Sequence, residues 1–200
     1  MSVAPAPLQT DSAPCLVLDA CVLMSSILRP LLLDFAEAGF FRPVWSERIG
    51  QEWQRNAARI WKKPPTALAQ MWETMQSRFP DACMNALEPY ESVLRYSDPK
   101  DFHVVAAGLA CKARLIDQAP VAVLTWNLKD FNKGELRRQG LQVLDPDRLF
   151  GAWMQDVPEK TRPLAERATG YATLLGRDEP LVETLRRERL FRCAKLLQTR

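Results

Sequence analysis

Short apolar runs alternate along this chain with longer stretches in which apolar residues recur at helical spacing. Residues 15–18 (CLVL) form a run that stops at Asp19, the signature of a strand buried on both faces of a parallel sheet. From Ala20 to Ala38, Leu23, Ile27, Leu28, Leu31, Leu32 and Phe35 keep a helical period. Pro30 interrupts it and predicts a kink or two shorter helices, and Gly39 closes it. Phe41–Trp45 reads as a second strand weakened by Pro43. Ser46 is a good N-cap for a helix to about Trp61, the Lys62-Lys63-Pro64-Pro65 break follows, and Thr66 caps a helix to about Phe79. Residues 82–94 are ambiguous, with room for a short strand. Ser97-Asp98-Pro99 opens a helix to about Asp117, with Pro99 in the first helical position. VAVLTW at 121–126 is the clearest buried strand. A short helix over 135–139, a strand over 141–144 and a helix from Asp147 to about Gln155 complete the alternation. Strands alternating with helices predict an α/β fold, three layers deep, around a parallel sheet.

The pattern changes at Val157, after which no strand is predicted. Leu164–Leu175 and Leu181–Leu197 read as two helices separated by Gly176-Arg177-Asp178. In the second, Val182, Leu185, Cys193 and Leu196 share one side, Arg189 breaks the stripe, and Leu190, Ala194 and Leu197 fall on the other. The chain therefore divides into a small, polar, disordered lead (1–13), an α/β domain (14–156) and a helical C-terminal extension (157–200). The lead carries no basic start and no apolar core of a secretion signal. No apolar run approaches the ~18 residues that span a bilayer.

Composition narrows the class. Two hundred residues that are 47% hydrophobic suit one globular domain with an appendage. The five cysteines, Cys15, Cys21, Cys83, Cys111 and Cys193, are scattered and odd in number, which points to reduced thiols in a cytoplasm. The net charge of +3 is concentrated: residues 151–200 hold 10 Lys and Arg against 7 Asp and Glu. A positive tail suits a nucleic-acid partner, although a solvated helix face explains the same excess.

The chemistry sits in acidic residues scattered through the chain. Asp19 follows the first strand, Asp101 falls in the first turn of its helix, Asp130 follows VLTWNLK, and Glu52 lies within SERIGQEW. In parallel α/β sheets, ligands bind at the carboxyl ends of the strands, where Asp19 and Asp130 belong. Carboxylates gathered in one place repel each other unless a cation lies between them. Hard dications such as Mg²⁺ prefer oxygen ligands and serve phosphate chemistry. Each residue also has a plainer reading: an N-cap for Asp19, a solvated helix face for Glu52, a dipole partner for Asp101, a turn former for Asp130. His103 is left out of the catalytic set, because water activated by a metal needs no imidazole. Trp53 and Trp61, with Trp45 nearby, could face a dimer or partner groove.

LVLDACVLMS, SERIGQEW, DPKDFHVVAAGLA and VLTWNLKDF followed by LQVLDPDRLF together resemble a PIN domain over roughly residues 14–151. The resemblance is strongest with the VapC-type toxin ribonucleases of bacterial toxin–antitoxin pairs. It implies a three-layer α/β/α fold and RNA cleavage dependent on Mg²⁺ or Mn²⁺. It also implies a homodimer and inhibition by a small antitoxin. Carried over by residue, it assigns Asp19, Glu52, Asp101 and Asp130 as catalytic, with Asp19, Asp101 and Asp130 on the metal. Thr125 and Asn127 line the pocket. The rival expectation is a catalytically silent PIN-fold module that binds RNA or acts as a scaffold.

Overall fold

The computed structural model describes residues 13–116 and 118–198. Five parallel strands form the sheet: β1 (Cys15–Leu18), β2 (Arg42–Ser46), β3 (Cys83–Met84), β4 (Val121–Leu124) and β5 (Leu141–Leu144). Their spatial order is β3-β2-β1-β4-β5. The chain thus builds outward from β1 in one direction, then returns to pair β4 on the other side of β1. That reversal is a topological switch point, the place where open parallel sheets form a ligand crevice. Register is direct, with Val17 beside Val44 and Val123. Every residue of β1 and β4 is buried, as their unbroken apolar sequences require.

Pro43 is accommodated in an inner strand for a local reason. Arg42 donates its N–H toward β1, to Pro14 O at 2.8 Å, so the alternation of the ladder turns the Pro43 nitrogen the other way. On that side β3 reaches only Trp45 and Ser46, and no ladder bond is lost.

The helices α1 (Ala20–Leu23) and α2 (Leu28–Glu37) replace the predicted single stretch. The break lies upstream of Pro30, at Ser25, whose hydroxyl accepts from the N–H groups of Ile27 and Leu28. Pro30 sits in the first turn of α2, where its missing donor costs nothing. Ser46 caps α3 (Glu47–Trp61) by accepting from Ile49 N at 3.3 Å. The next helix, α4 (Pro65–Arg78), is headed by Pro64, not Thr66. A short α5 (Glu88–Glu91) precedes a 3₁₀ turn at Pro99–Asp101 and α6 (Phe102–Arg114). Asp98 accepts from Lys100 N at the head of that turn, as its place before Pro99 predicts. The predicted helix end at Asp117 lies outside the described residues, as does the N-terminal lead apart from Ala13. A 3₁₀ turn at Leu128–Asp130, α7 (Lys133–Arg138) and α8 (Pro146–Asp156) complete the α/β part. Asp145 caps α8, leaving Asp147 to accept from Arg192 N. Helices packed around one all-parallel sheet are compatible with a three-layer α/β/α arrangement.

The C-terminal residues form three helices: α9 (Pro158–Leu174), α10 (Leu181–Arg187) and α11 (Phe191–Gln198). The predicted single helix over 181–197 breaks at Arg189, whose φ is +63°. The break explains the divided stripe: it re-aims α11 so that Leu185, Leu190, Cys193 and Ala194 are all buried. With Ala165, Ala168 and Ala172 they join the same continuous core as β1 and β4. Asp34 of α2 ties the extension further, 2.5 Å from Tyr171 Oη and 3.3 Å from Arg167.

Trp45 and Trp53 are fully buried, which removes them from any partner groove. Trp53 donates to Leu23 O, and the buried Arg29 lies against both Trp53 and Trp61. None of the five cysteines forms a disulfide. Among the described residues, no helix is long and apolar enough to cross a membrane.

Gly50 lets α3 and α4 approach closely: a Cβ there would meet the Trp72 ring at 2.4 Å. Trp72 is itself buried, so the ring has little freedom to withdraw. Gly50→Ala is expected to destabilise the protein by about 1–3 kcal/mol through overpacking, despite the better helix propensity of alanine. Thermal unfolding checks it, with a fall of roughly 2–4 °C per kcal/mol.

Candidate active site

Asp19 leaves β1 at its carboxyl end and Thr125 leaves β4 at the same edge, on either side of the switch point. The Asp19 N–H donates to Leu124 O at 3.2 Å, which stitches the two ends together. The side chains then meet: Thr125 Oγ1 donates to Asp19 Oδ2 at 2.6 Å, and the Cys21 thiol donates to the same oxygen at 3.1 Å. Asp19 begins α1 with extended backbone, yet its carboxylate caps no helix N–H. The carboxylate, 3% exposed, lies at the sheet edge among the donors Thr125 and Cys21.

Burial raises the Asp19 pKa above the usual carboxylate range, and the charge of Glu52 adds to the rise against the bonds from Thr125 and Cys21. Burial, then the charge of Asp19, pushes the Cys21 thiol up to about 12. Cys21 thus stays a neutral donor to Asp19 and is not a nucleophile.

Asp101 gathers the rest of the cluster. Its pKa is pushed up to about 6, first by burial and then by the charges of Asp19, Asp130, Glu52 and Asp98. Side chains from four separate stretches of chain therefore share one electrostatic neighbourhood. The predicted carboxylates Asp19, Glu52, Asp101 and Asp130 are brought together in that sense. They do not form a finished cage: among the described residues, no three His, Cys, Asp or Glu side chains are grouped closely enough to grip one ion. Thr125 stands against Asp19 through its hydroxyl. Asn127 contributes its backbone, donating to Thr125 Oγ1 at 2.9 Å, while its side chain is exposed.

Sequence reading missed two residues. The ring of His103, in the first turn of α6, is buried with neither nitrogen hydrogen-bonded, and its Nε2 lies 3.2 Å from Glu52 Oε2. Its nearness to Glu52 depends on how α3 and α6 pack, which no spacing reveals. Glu135 was read only as the start of a short helix. Buried in α7, it accepts from the backbone N–H groups of Arg95, Tyr96 and Ser97 and from the Ser97 hydroxyl, at 2.6–3.1 Å. Burial alone would raise its pKa, but these bonds outweigh it and hold the carboxyl below its usual range. Ser97 Oγ also accepts from Asn132 N, and Asp98 N donates to Asp130 O at 2.8 Å. Glu135 thereby fastens the loop that carries Asp101 to the loop that carries Asp130.

Three of the carboxylates, Glu52, Asp101 and Asp130, are only partly buried. A cavity of about 210 Å³ lined by Ser46, Met84 and Glu91 holds none of the four, and neither does a groove of about 600 Å³ beside Val93 and Leu109. The acidic cluster lies at a partly open edge of the sheet. No protein-family model matches this chain, no curated protein matches its sequence, and no solved structure matches its fold.

Asp101 and Glu135 have opposite pH signatures. The Asp101 carboxyl binds its proton more tightly in the folded state, so metal-free protein should lose stability as pH rises from about 4 through about 6. In EDTA, Asp101→Asn should unfold a few degrees higher than the parent at pH 8, with no difference near pH 4. The Glu135 pKa is lowered, so its contribution is present above the ordinary value of 4.5 and is lost as pH falls through the folded value. Glu135→Gln should cost about 1.5–3 kcal/mol at neutral pH, and its unfolding curve should converge on the parent's in acid.

Proposed function

We propose that the protein is a PIN-like endoribonuclease that uses Mg²⁺ or Mn²⁺ to hydrolyse RNA phosphodiester bonds. The observation that carries the reading is the gathering of Asp19, Asp130, Glu52 and Asp98 around Asp101 beside the β1–β4 switch point, where burial first and then these charges raise the Asp101 pKa. Like charges held together at a switch point, with no basic side chain among the causes of that shift, call for a cation from outside. The donor set fits a hard dication, because it consists of carboxylate oxygens.

In this reading Asp19, Asp101 and Asp130 hold the ion. A dication there supplies an activated water and neutralises charge on the phosphate. Thr125 and Cys21 orient the Asp19 carboxylate by donating to Oδ2. Glu52, beside His103, is placed to accept a proton from the attacking water. Glu135 keeps the Asp101 and Asp130 loops in register. The physiological role we infer is that of a toxin in a toxin–antitoxin pair, acting in the cytoplasm as a homodimer and restrained by a small antitoxin protein. That role rests on the motifs DPKDFHVVAA and TWNLKDF and on the reduced thiols.

Purified protein incubated with structured RNA should cleave it with Mg²⁺ or Mn²⁺ and stop on addition of EDTA. Loss of an outer partner of a metal ligand typically costs 10- to 100-fold, so Thr125→Val should lower kcat by that order. Asp19→Asn should lower it by about a hundredfold or more and abolish growth arrest on expression. RNA binding without metal-dependent cleavage would favour the silent binding module instead.

A further inference from the structure

The turn between α10 and α11 holds its basic side chain on an aromatic ring, unlike several arginines around it. Arg167, Arg186, Arg187 and Arg192 each lie against a carboxylate, those of Asp34, Glu183, Glu179 and Asp147. Arg189 has no carboxylate partner among the described residues. Its exposed side chain lies over the Trp126 ring, with the guanidinium carbon 4.6 Å from the centroid. Its backbone φ of +63° is one that glycine adopts freely and that strains a residue with a Cβ. The turn is nevertheless firmly held. Leu190 is fully buried, with its N–H on Leu185 O at 2.8 Å. Glu188 accepts a hydrogen bond from Ser25, at the α1–α2 junction that follows Asp19. An unpaired cation is thus fixed in place on a strained backbone.

Through Trp126 the turn is joined to the strand end that carries Thr125. Trp126 lies between Thr125 and Asn127. Its N–H donates to Cys21 Sγ at 3.3 Å, and the Cys21 thiol donates to Asp19 at 3.1 Å. A cluster of carboxylates repels a polyanion, so an RNA strand needs positive charge beside the cluster to lie across it. A guanidinium lying on an indole ring has little rotamer freedom left to lose and keeps its planar fork of donors, which matches a phosphate.

We propose that Arg189 grips a backbone phosphate neighbouring the scissile one, so that the C-terminal helices supply the cationic lip of an otherwise acidic site. The proposal rests on the nuclease reading and deepens it by assigning a substrate contact to a residue outside the α/β part. A brace that merely docked the helices would behave differently: its loss would lower stability and leave the salt dependence of RNA binding untouched.

The test uses the full chain with labelled bulk transfer RNA, and Ca²⁺ in place of Mg²⁺ to prevent cleavage, across a series of salt concentrations. Arg189→Gly suits the backbone at this position, so its melting temperature should equal or exceed the parent's. It should weaken RNA binding by about tenfold and reduce the slope of log affinity against log salt by about one. Arg189→Lys should recover a large part of both. With Mg²⁺ restored, Arg189→Gly should raise KM while kcat is kept. Unchanged affinity and slope in Arg189→Gly, whether or not its stability falls, would overturn the assignment and leave the nuclease reading standing. Failure of the parent itself to bind the RNA in a salt-dependent way would overturn both.

Discussion

Holding a carboxylate at the dry end of a parallel sheet is the constraint on which the rest of this molecule turns. Asp19 emerges from a strand with no exposed residue, beside another such strand, and is almost wholly removed from water. An isolated buried charge is far too costly to keep, so the structure around it supplies partners. The Thr125 hydroxyl and the Cys21 thiol both donate to one of its oxygens. The thiol can do so because burial and the neighbouring charge keep it protonated. The remaining neighbours, Glu52 and Asp101, work against ionisation. The site is therefore under electrostatic strain that the surrounding fold must resist.

Resistance comes from two scaffolds. One is the sheet itself, whose β1–β4 pairing fixes Asp19 and Thr125 relative to each other through direct register. The other is the Glu135 clamp, a carboxylate that receives three backbone N–H groups and a hydroxyl from a single loop. It is the electrostatic opposite of Asp101. Glu135 is surrounded by donors and holds its charge more readily than a free glutamate, whereas Asp101, buried among acids, gives up its proton less readily than a free aspartate. One carboxylate completes the structure; the other leaves an unmet demand for positive charge. The C-terminal helices belong to the same scaffold, since their alanines and leucines enter the common core and Glu188 reaches Ser25.

Much of this was legible in the chain. Unbroken apolar runs marked β1 and β4, and Ser46 and Asp98 announced their caps, because these are local effects of burial and of unsatisfied helix N–H groups. The helix break at Arg189 was visible only as an inconsistency, an apolar stripe that changed sides. A non-glycine residue in the left-handed region carries no sequence signal, and the turn exists because Leu190 and Glu188 are held from elsewhere. The tryptophans of α3 misled for a related reason. Large aromatics suit a core and an interface equally, and only the packing of α3 against α1 and α4 decided for the core.

By itself, the sequence determined the α/β alternation, the parallel character of the sheet and which acidic residues end strands or open helices. All three follow from periodicity and from chemistry between near neighbours in the chain. Tertiary structure alone decided the strand order, and with it the switch point where Asp19 meets Thr125. It also decided that His103 stands by Glu52, that Glu135 joins two loops, and that Arg189 lies on Trp126. These contacts link residues far apart along the chain. Their geometry depends on how whole elements pack, a property of the assembled core that no local pattern encodes.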